Sequence, residues 1–140
     1  MNSLALYDRV CLRASRYTTT SYSTSFSLGV RSLNKRFRDP IHSIYGFVRF
    51  ADEIVDTFHG HDESTLLARF REDTNRAIVE GISLNPILHS YQNTVRNFGI
   101  EPSLIDAFLH SMEMDLTEAQ HDQRSYEEYI LGSAEVVGLM

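Results

Sequence analysis

Apolar residues recur at three- and four-residue steps along almost the whole chain, and no stretch alternates in the two-residue manner of a half-buried strand. The pattern predicts helices near residues 3–17, 24–33, 40–58, 64–80, 86–97, 102–120 and 125–139, joined by short loops. Asp39-Pro40, Asn85-Pro86 and Glu101-Pro102 each read as a helix start with proline at the first helical position, and Gly81 and Gly99 read as the ends of the helices before them. No repeat, low-complexity tract or Pro/Ser-rich linker interrupts the sequence, so residues 1–140 read as all-α with no internal boundary.

The segment from Ile41 to Phe58 carries the most chemistry. Ile41, Ile44, Phe47, Val48, Phe50, Ala51, Ile54, Val55 and Phe58 give it an apolar side. Tyr45, Arg49, Asp52 and Asp56 follow at steps of four, three and four, which places them on one narrow stripe at about 100° per residue. His42, Ser43, Gly46, Glu53 and Thr57 extend the polar arc, and on spacing alone an ordinary solvated helix face is the more economical reading. The chemical reading is that two carboxylates one turn apart present hard oxygen ligands to a divalent cation. Magnesium suits them, because it takes one or two carboxylates, keeps several waters and completes its shell with phosphate oxygens. An arginine one turn earlier can hold the same phosphates by charge-assisted, bidentate hydrogen bonds.

Other segments are open to two readings. On the helix over 102–120, Leu104, Ile105, Phe108, Leu109, Met112, Leu116 and Ala119 form an apolar face, and Asp115 falls inside that arc. A carboxylate aimed inward needs a cation, hydrogen-bond donors or a proton; the alternative is a helix end twisting toward solvent near Glu118. Tyr22 to Phe26 offers a run of hydroxyls that serves equally as a helix cap, and Gly132, Ser133, Ala134 and Gly138 equally mark a close helix contact. The run His59-Gly60-His61-Asp62-Glu63 reads as a solvated loop, since two histidines without further ligands at fixed spacing are a poor metal signature.

Composition narrows the class of protein. Hydrophobic residues at 42% and charged residues at 23% are ordinary for a soluble globular domain. No uninterrupted apolar stretch has the length of a membrane span, and the N-terminus lacks a basic leader followed by an apolar block. The single Cys11, between Val10 and Leu12, reads as packing and cannot form an internal disulfide, so the expected compartment is the cytoplasm. A net charge of −6 argues against general nucleic-acid binding. The charge is uneven: residues 1–100 carry twelve Lys or Arg against ten Asp or Glu, and residues 101–140 carry one against nine. Arg31, Lys35, Arg36 and Arg38 form a basic cluster ahead of the aspartate helix, either a solvated helix end or a contact for anionic lipid or diphosphate.

Taken in order, these residues resemble the squalene and phytoene synthase family of head-to-head prenyl synthases. The family's S-x-S-F appears as Ser23-Thr24-Ser25-Phe26, and its Y-x-x-x-R-x-x-D-x-x-x-D as Tyr45, Arg49, Asp52 and Asp56. Asp115 stands where members commonly carry an acidic residue near the active-site floor. The later signature Y-x-x-x-V-A-G-x-V-G is met by Tyr129, Ala134, Val137 and Gly138, with Ser133 in place of its valine and Glu135 in place of its first glycine. The resemblance spans nearly the whole chain but only about the N-terminal half of a typical member, and the second aspartate-rich motif has no counterpart here. The expectation is therefore a piece of a longer protein, prone to self-association through apolar helix faces left uncovered.

The resemblance implies an isoprenoid-synthase-type helical bundle around a central cavity, incomplete in this chain. It implies a magnesium-dependent prenyl transferase, with Mn²⁺ a possible substitute, that joins two farnesyl or geranylgeranyl diphosphates head to head in isoprenoid or carotenoid biosynthesis. On it, Asp52 and Asp56 hold the metal; Tyr45 and Arg49 act with them in catalysis; and Ser23, Ser25, Phe26, Tyr45, Arg49, Asp115 and Tyr129 bind substrate. Peripheral contact with the inner face of the membrane follows from such greasy substrates. The alternative is a catalytically incomplete helical scaffold of the same family.

Overall fold

In a computed structural model, which describes residues 2–117, the chain folds as α1 (Ser3–Tyr22), α2 (Thr24–Arg31), α3 (Lys35–Asp56), α4 (Glu63–Glu80), α5 (Pro86–Phe98) and α6 (Pro102–Thr117), with no strand among the described residues. Side-chain oxygens start most of these helices: Asn2, Ser23, Asn34, Asp62 and Asn85 each accept a backbone N–H from the first turn they precede. Gly81 and Gly99 end α4 and α5 in the left-handed conformation, at φ +74° and +66°, which a side chain would disfavour. No helix among the described residues is long and apolar enough to cross a membrane.

Helix α3 is the axis of the bundle and packs against every other described helix. Phe47 sits at its centre, fully buried, with its ring stacked on Tyr91 of α5 at 4.0 Å between centroids, on Phe70 of α4 at 5.4 Å and tilted against Phe108 of α6 at 5.7 Å. Ile44, Val48, Ala51, Leu67, Leu88, Leu109 and Met112 close the core around these rings. The apolar face expected on the helix over 102–120 is present as far as Leu116: Ile105, Phe108, Leu109 and Met112 are buried, and Leu104 and Leu116 pack against them, while Ala119 and the helix expected over 125–139 lie outside the described residues.

Two features of α3 differ from the sequence expectation. The helix begins at Lys35, capped by Asn34, so Pro40 lies inside it and Asp39 is not its cap. A proline there removes the N–H that would bond the carbonyl of Arg36, but Arg36 is exposed, where water can replace that bond. Asp39 instead pairs with Arg16 of α1 at 2.6 Å. The basic cluster divides accordingly: Arg38 donates to the carbonyls of Arg31 and Leu33 at the end of α2, while Lys35 and Arg36 open α3.

The second difference is that the polar arc of α3 is not a solvated face. Ser43 is buried and hydrogen-bonded to Ser90 of α5 at 2.6 Å, and His42 Nδ1 lies 2.9 Å from Thr19 Oγ1 of α1. A Cβ on Gly46 would meet Ser15 Oγ at 3.4 Å and Ile87 Cγ2 at 3.5 Å. Small and hydroxyl-bearing residues let α1 and α5 close onto α3, so the helix is enclosed on two sides. Phe50 and Phe58, expected in the core, are partly exposed at 36% and 39%.

Helix α1 is further fixed by a polar network at the α4–α5 turn. Buried His89 receives the Ser83 N–H on Nδ1 at 3.2 Å, which leaves its Nε2 proton for Asp8 at 2.6 Å. Tyr7 packs on the His89 ring and donates to the Ser83 carbonyl; burial, first, pushes its phenol up to about 12. Cys11 is fully buried as packing, with its thiol pushed up by burial.

Replacing Phe47 with alanine should cost about 3–5 kcal/mol of unfolding free energy in urea, and Phe47→Leu distinctly less, because leucine refills part of the void. His42 is held below its ordinary pKa by burial and then by the Arg16 charge, so the folded state favours the neutral ring. Its contribution is complete above the unfolded value of about 6.5 and declines as pH falls through and below it. The melting-temperature difference between the parent and His42→Asn should therefore narrow on acidification from pH ~7.5 to ~5.5.

Candidate active site

The stripe read from sequence lies where α3 faces the α1–α2 corner. Ser23 ends α1 and caps α2 at the same time: its N–H bonds the Thr19 carbonyl, and its Oγ accepts the Phe26 N–H at 3.1 Å. This tight corner sets Tyr22 and Phe26 on either side of one residue's turn, and both reach α3. The Phe26 ring stacks on Tyr45 at 4.9 Å, and the Tyr22 ring carries the Arg49 guanidinium at 4.7 Å.

Arg49 is consequently held from three directions. Its Nη2 lies 3.0 Å from Asp52 Oδ2 and pairs also with Glu53 Oε1, while the Tyr22 ring covers its face. Asp52 is only 4% exposed, so this is an ion pair with little solvent screening on the carboxylate side. Burial, first, raises the Tyr45 phenol above its ordinary pKa, with Arg49 opposing and Asp52 adding to the rise, so Tyr45 keeps its proton at neutral pH. Asp56 closes α3 as its last residue and is exposed. Asp52 and Asp56 thus run from the packed interior to the solvent edge along one side of the helix. As an all-oxygen pair they fit magnesium.

Ser23 and Ser25 stand 3.5 Å apart through their hydroxyls, Ser25 exposed and Ser23 committed to its cap. Ser23 thus fulfils the cap reading of the hydroxyl run, and Phe26 in the first turn of α2 reaches the stripe at Tyr45. Sequence reasoning missed Tyr22 and Glu53 as partners of Arg49. Glu53 was visible as the i+4 neighbour of Arg49, whereas Tyr22 comes into contact only through the corner at Ser23. The side chain of Asp115 lies outside the described residues, as do Tyr129 and the later signature around Ser133, Ala134 and Gly138.

The loop after α3 behaves as the solvated reading expects. Asp62 caps α4 through the Thr65 N–H and hydroxyl, at 3.1 and 2.7 Å, and those bonds lower its pKa. His59 lies 3.3 Å from Glu63, and no group of three or more His, Cys, Asp or Glu is arranged to hold a metal among the described residues.

Comparison with known proteins gives the family and the fold. Residues 19–140 match the family model described as squalene/phytoene synthase. The presqualene diphosphate synthase of Rhodopseudomonas palustris is 31% identical over 94 residues, 66% of this chain and 33% of that protein. The presqualene diphosphate synthase of Sinorhizobium fredii is 28% identical over 102 residues, 73% of this chain and 36% of that protein. A crystal structure of a dehydrosqualene synthase superposes with a TM-score of 0.73 at 18% identity, over 93% of this chain and 46% of that one. The chain therefore spans about a third of the relatives it matches and under half of the solved structure, whose all-α isoprenoid-synthase fold it shares. The chain belongs to the squalene/phytoene synthase family.

Proposed function

We infer that these residues form the first half of the active site of a magnesium-dependent prenyl transferase, which joins two allylic prenyl diphosphates head to head. The observation that carries the reading is the restrained Arg49: a guanidinium fixed by Asp52, Glu53 and Tyr22, beside the capped start of α2. Preorganised donors of this kind stabilise charge that develops on a leaving group, because they need not reorient when the bond breaks.

Arg49 would take the departing diphosphate through its guanidinium, with the Ser25 hydroxyl and the first N–H groups of α2 as further donors. Asp52 and Asp56 would hold magnesium, which supplies compensation for the phosphate charge. Tyr45, stacked on Phe26, offers the allylic cation a π face and keeps water from one side of it.

The test is to incubate the full-length product with farnesyl or geranylgeranyl diphosphate and follow diphosphate release with and without magnesium. Metal-dependent consumption of either is expected, and folded full-length protein that consumes neither overturns the reading. Asp52→Asn and Asp56→Asn should each lower turnover by about a hundredfold or more, with helicity by circular dichroism unchanged. Unchanged turnover in both would remove the metal role. Tyr22→Phe should keep most of the activity, and Tyr22→Ala should raise KM for the diphosphate by about three- to tenfold, as expected from losing a cation–π contact.

A further inference from the structure

The face of α3 opposite the stripe opens onto a groove of about 770 Å³ between α1, the start of α3 and α5. Arg36, Asp39, Pro40 and Ser43 line it from α3, roughly 160° around the helix from the Tyr45 to Asp56 stripe. Helix α1 contributes Arg9, Arg13 and Arg16, and α5 adds Ser90, Asn93, Thr94 and Asn97. The carboxylates in the groove are already engaged. Asp39 pairs with Arg16, and Asp8 accepts from His89 and Asn93. Arg9, Arg13 and Arg36 have no carboxylate partner among the described residues. Three uncompensated guanidiniums beside amide and hydroxyl groups are the donor set of a phosphate site.

The same helix carries a second, independent signal. Leu6, Val10 and Tyr17 are 53%, 51% and 74% exposed. With Arg13 they occupy one arc of about 60° on α1, along the rim of the groove. A soluble phosphate would make no use of those apolar side chains. A lipid surface uses both: apolar residues enter the boundary between headgroups and acyl chains, and arginines beside them take the headgroup phosphates.

We propose that α1 and the arginine groove dock an anionic phospholipid surface, with Arg9, Arg13 and Arg36 on headgroup phosphates and Leu6, Val10 and Tyr17 in the interface. The site lies on the far side of α3 from the stripe, so it stands whether or not the transferase reading holds. It would fix which face of the bundle is turned to the membrane.

Co-sedimentation of the chain with vesicles tests this. Vesicles of phosphatidylcholine with about a third phosphatidylglycerol should bind it, with an affinity falling as salt is raised, while phosphatidylcholine alone should bind at least about tenfold more weakly. The double variant Arg9→Gln, Arg13→Gln should weaken binding by about tenfold or more, and Leu6→Ser, Val10→Ser should weaken it comparably. All four positions are at least half-exposed or solvent-facing, so the fold should persist by circular dichroism. Arg69→Gln, a single change of the same kind on the exposed side of α4, should leave binding within about twofold. Equal binding to both vesicle types, or an equal loss in Arg69→Gln, overturns the proposal. So does saturable binding of inorganic phosphate that depends on Arg9 and Arg13 without vesicle binding, which would assign the groove to a soluble ligand. Loss of self-association in place of vesicle binding would assign the face to a second copy and equally overturn it.

Discussion

A charged pair is held inside the most enclosed helix of the bundle, and the arrangement of everything around α3 follows from accommodating it. Arg49 and Asp52 sit on a helix packed on nearly every side, and an ion pair in such surroundings gains little net stability over apolar residues of similar size. The cost is limited by the geometry: the guanidinium is shared with Glu53 and covered by an aromatic face, and the stripe climbs from buried Asp52 to exposed Asp56.

Enclosing α3 demanded different solutions on its two sides. Toward α4, α5 and α6, large rings stacked around Phe47 fill the space. Toward α1 and the start of α5, Ser43, Gly46, Ser15 and Ser90 bring backbones close, with hydroxyls satisfying one another. The bundle is thus rigid where aromatic packing and hydroxyl pairing meet, and the stripe inherits that rigidity. A site that must bind a multiply charged group without rearranging benefits from such a mount.

Much of this was legible in the sequence. The three- and four-residue period gave the helices, and the spacing of Tyr45, Arg49, Asp52 and Asp56 gave the stripe. The apolar arc containing Phe108 and Met112 was equally readable. What escaped was information that only packing supplies. Ser43, Gly46 and His42 looked like a wet face because small and polar residues serve a close helix contact as well as they serve water. Asp39-Pro40 looked like a helix start because the local signal was sound, but Asn34 capped one turn earlier, and the proline fell one turn after an exposed Arg36. Tyr22 was unreadable as a partner of Arg49 because the two are brought together by a corner and not by a period.

That corner has a consequence for how the chain tolerates change. Ser23 is shared by two consecutive helices, so there is no slack between them to absorb an added or deleted residue. One extra residue in the last turn of α1 would swing Tyr22 about 100° around its helix and carry it off the guanidinium. The length of α1 is therefore a register mark, counted from its groove-lining arginines to the Tyr22 ring at its end, and it ties the two faces of α3 to a common ruler.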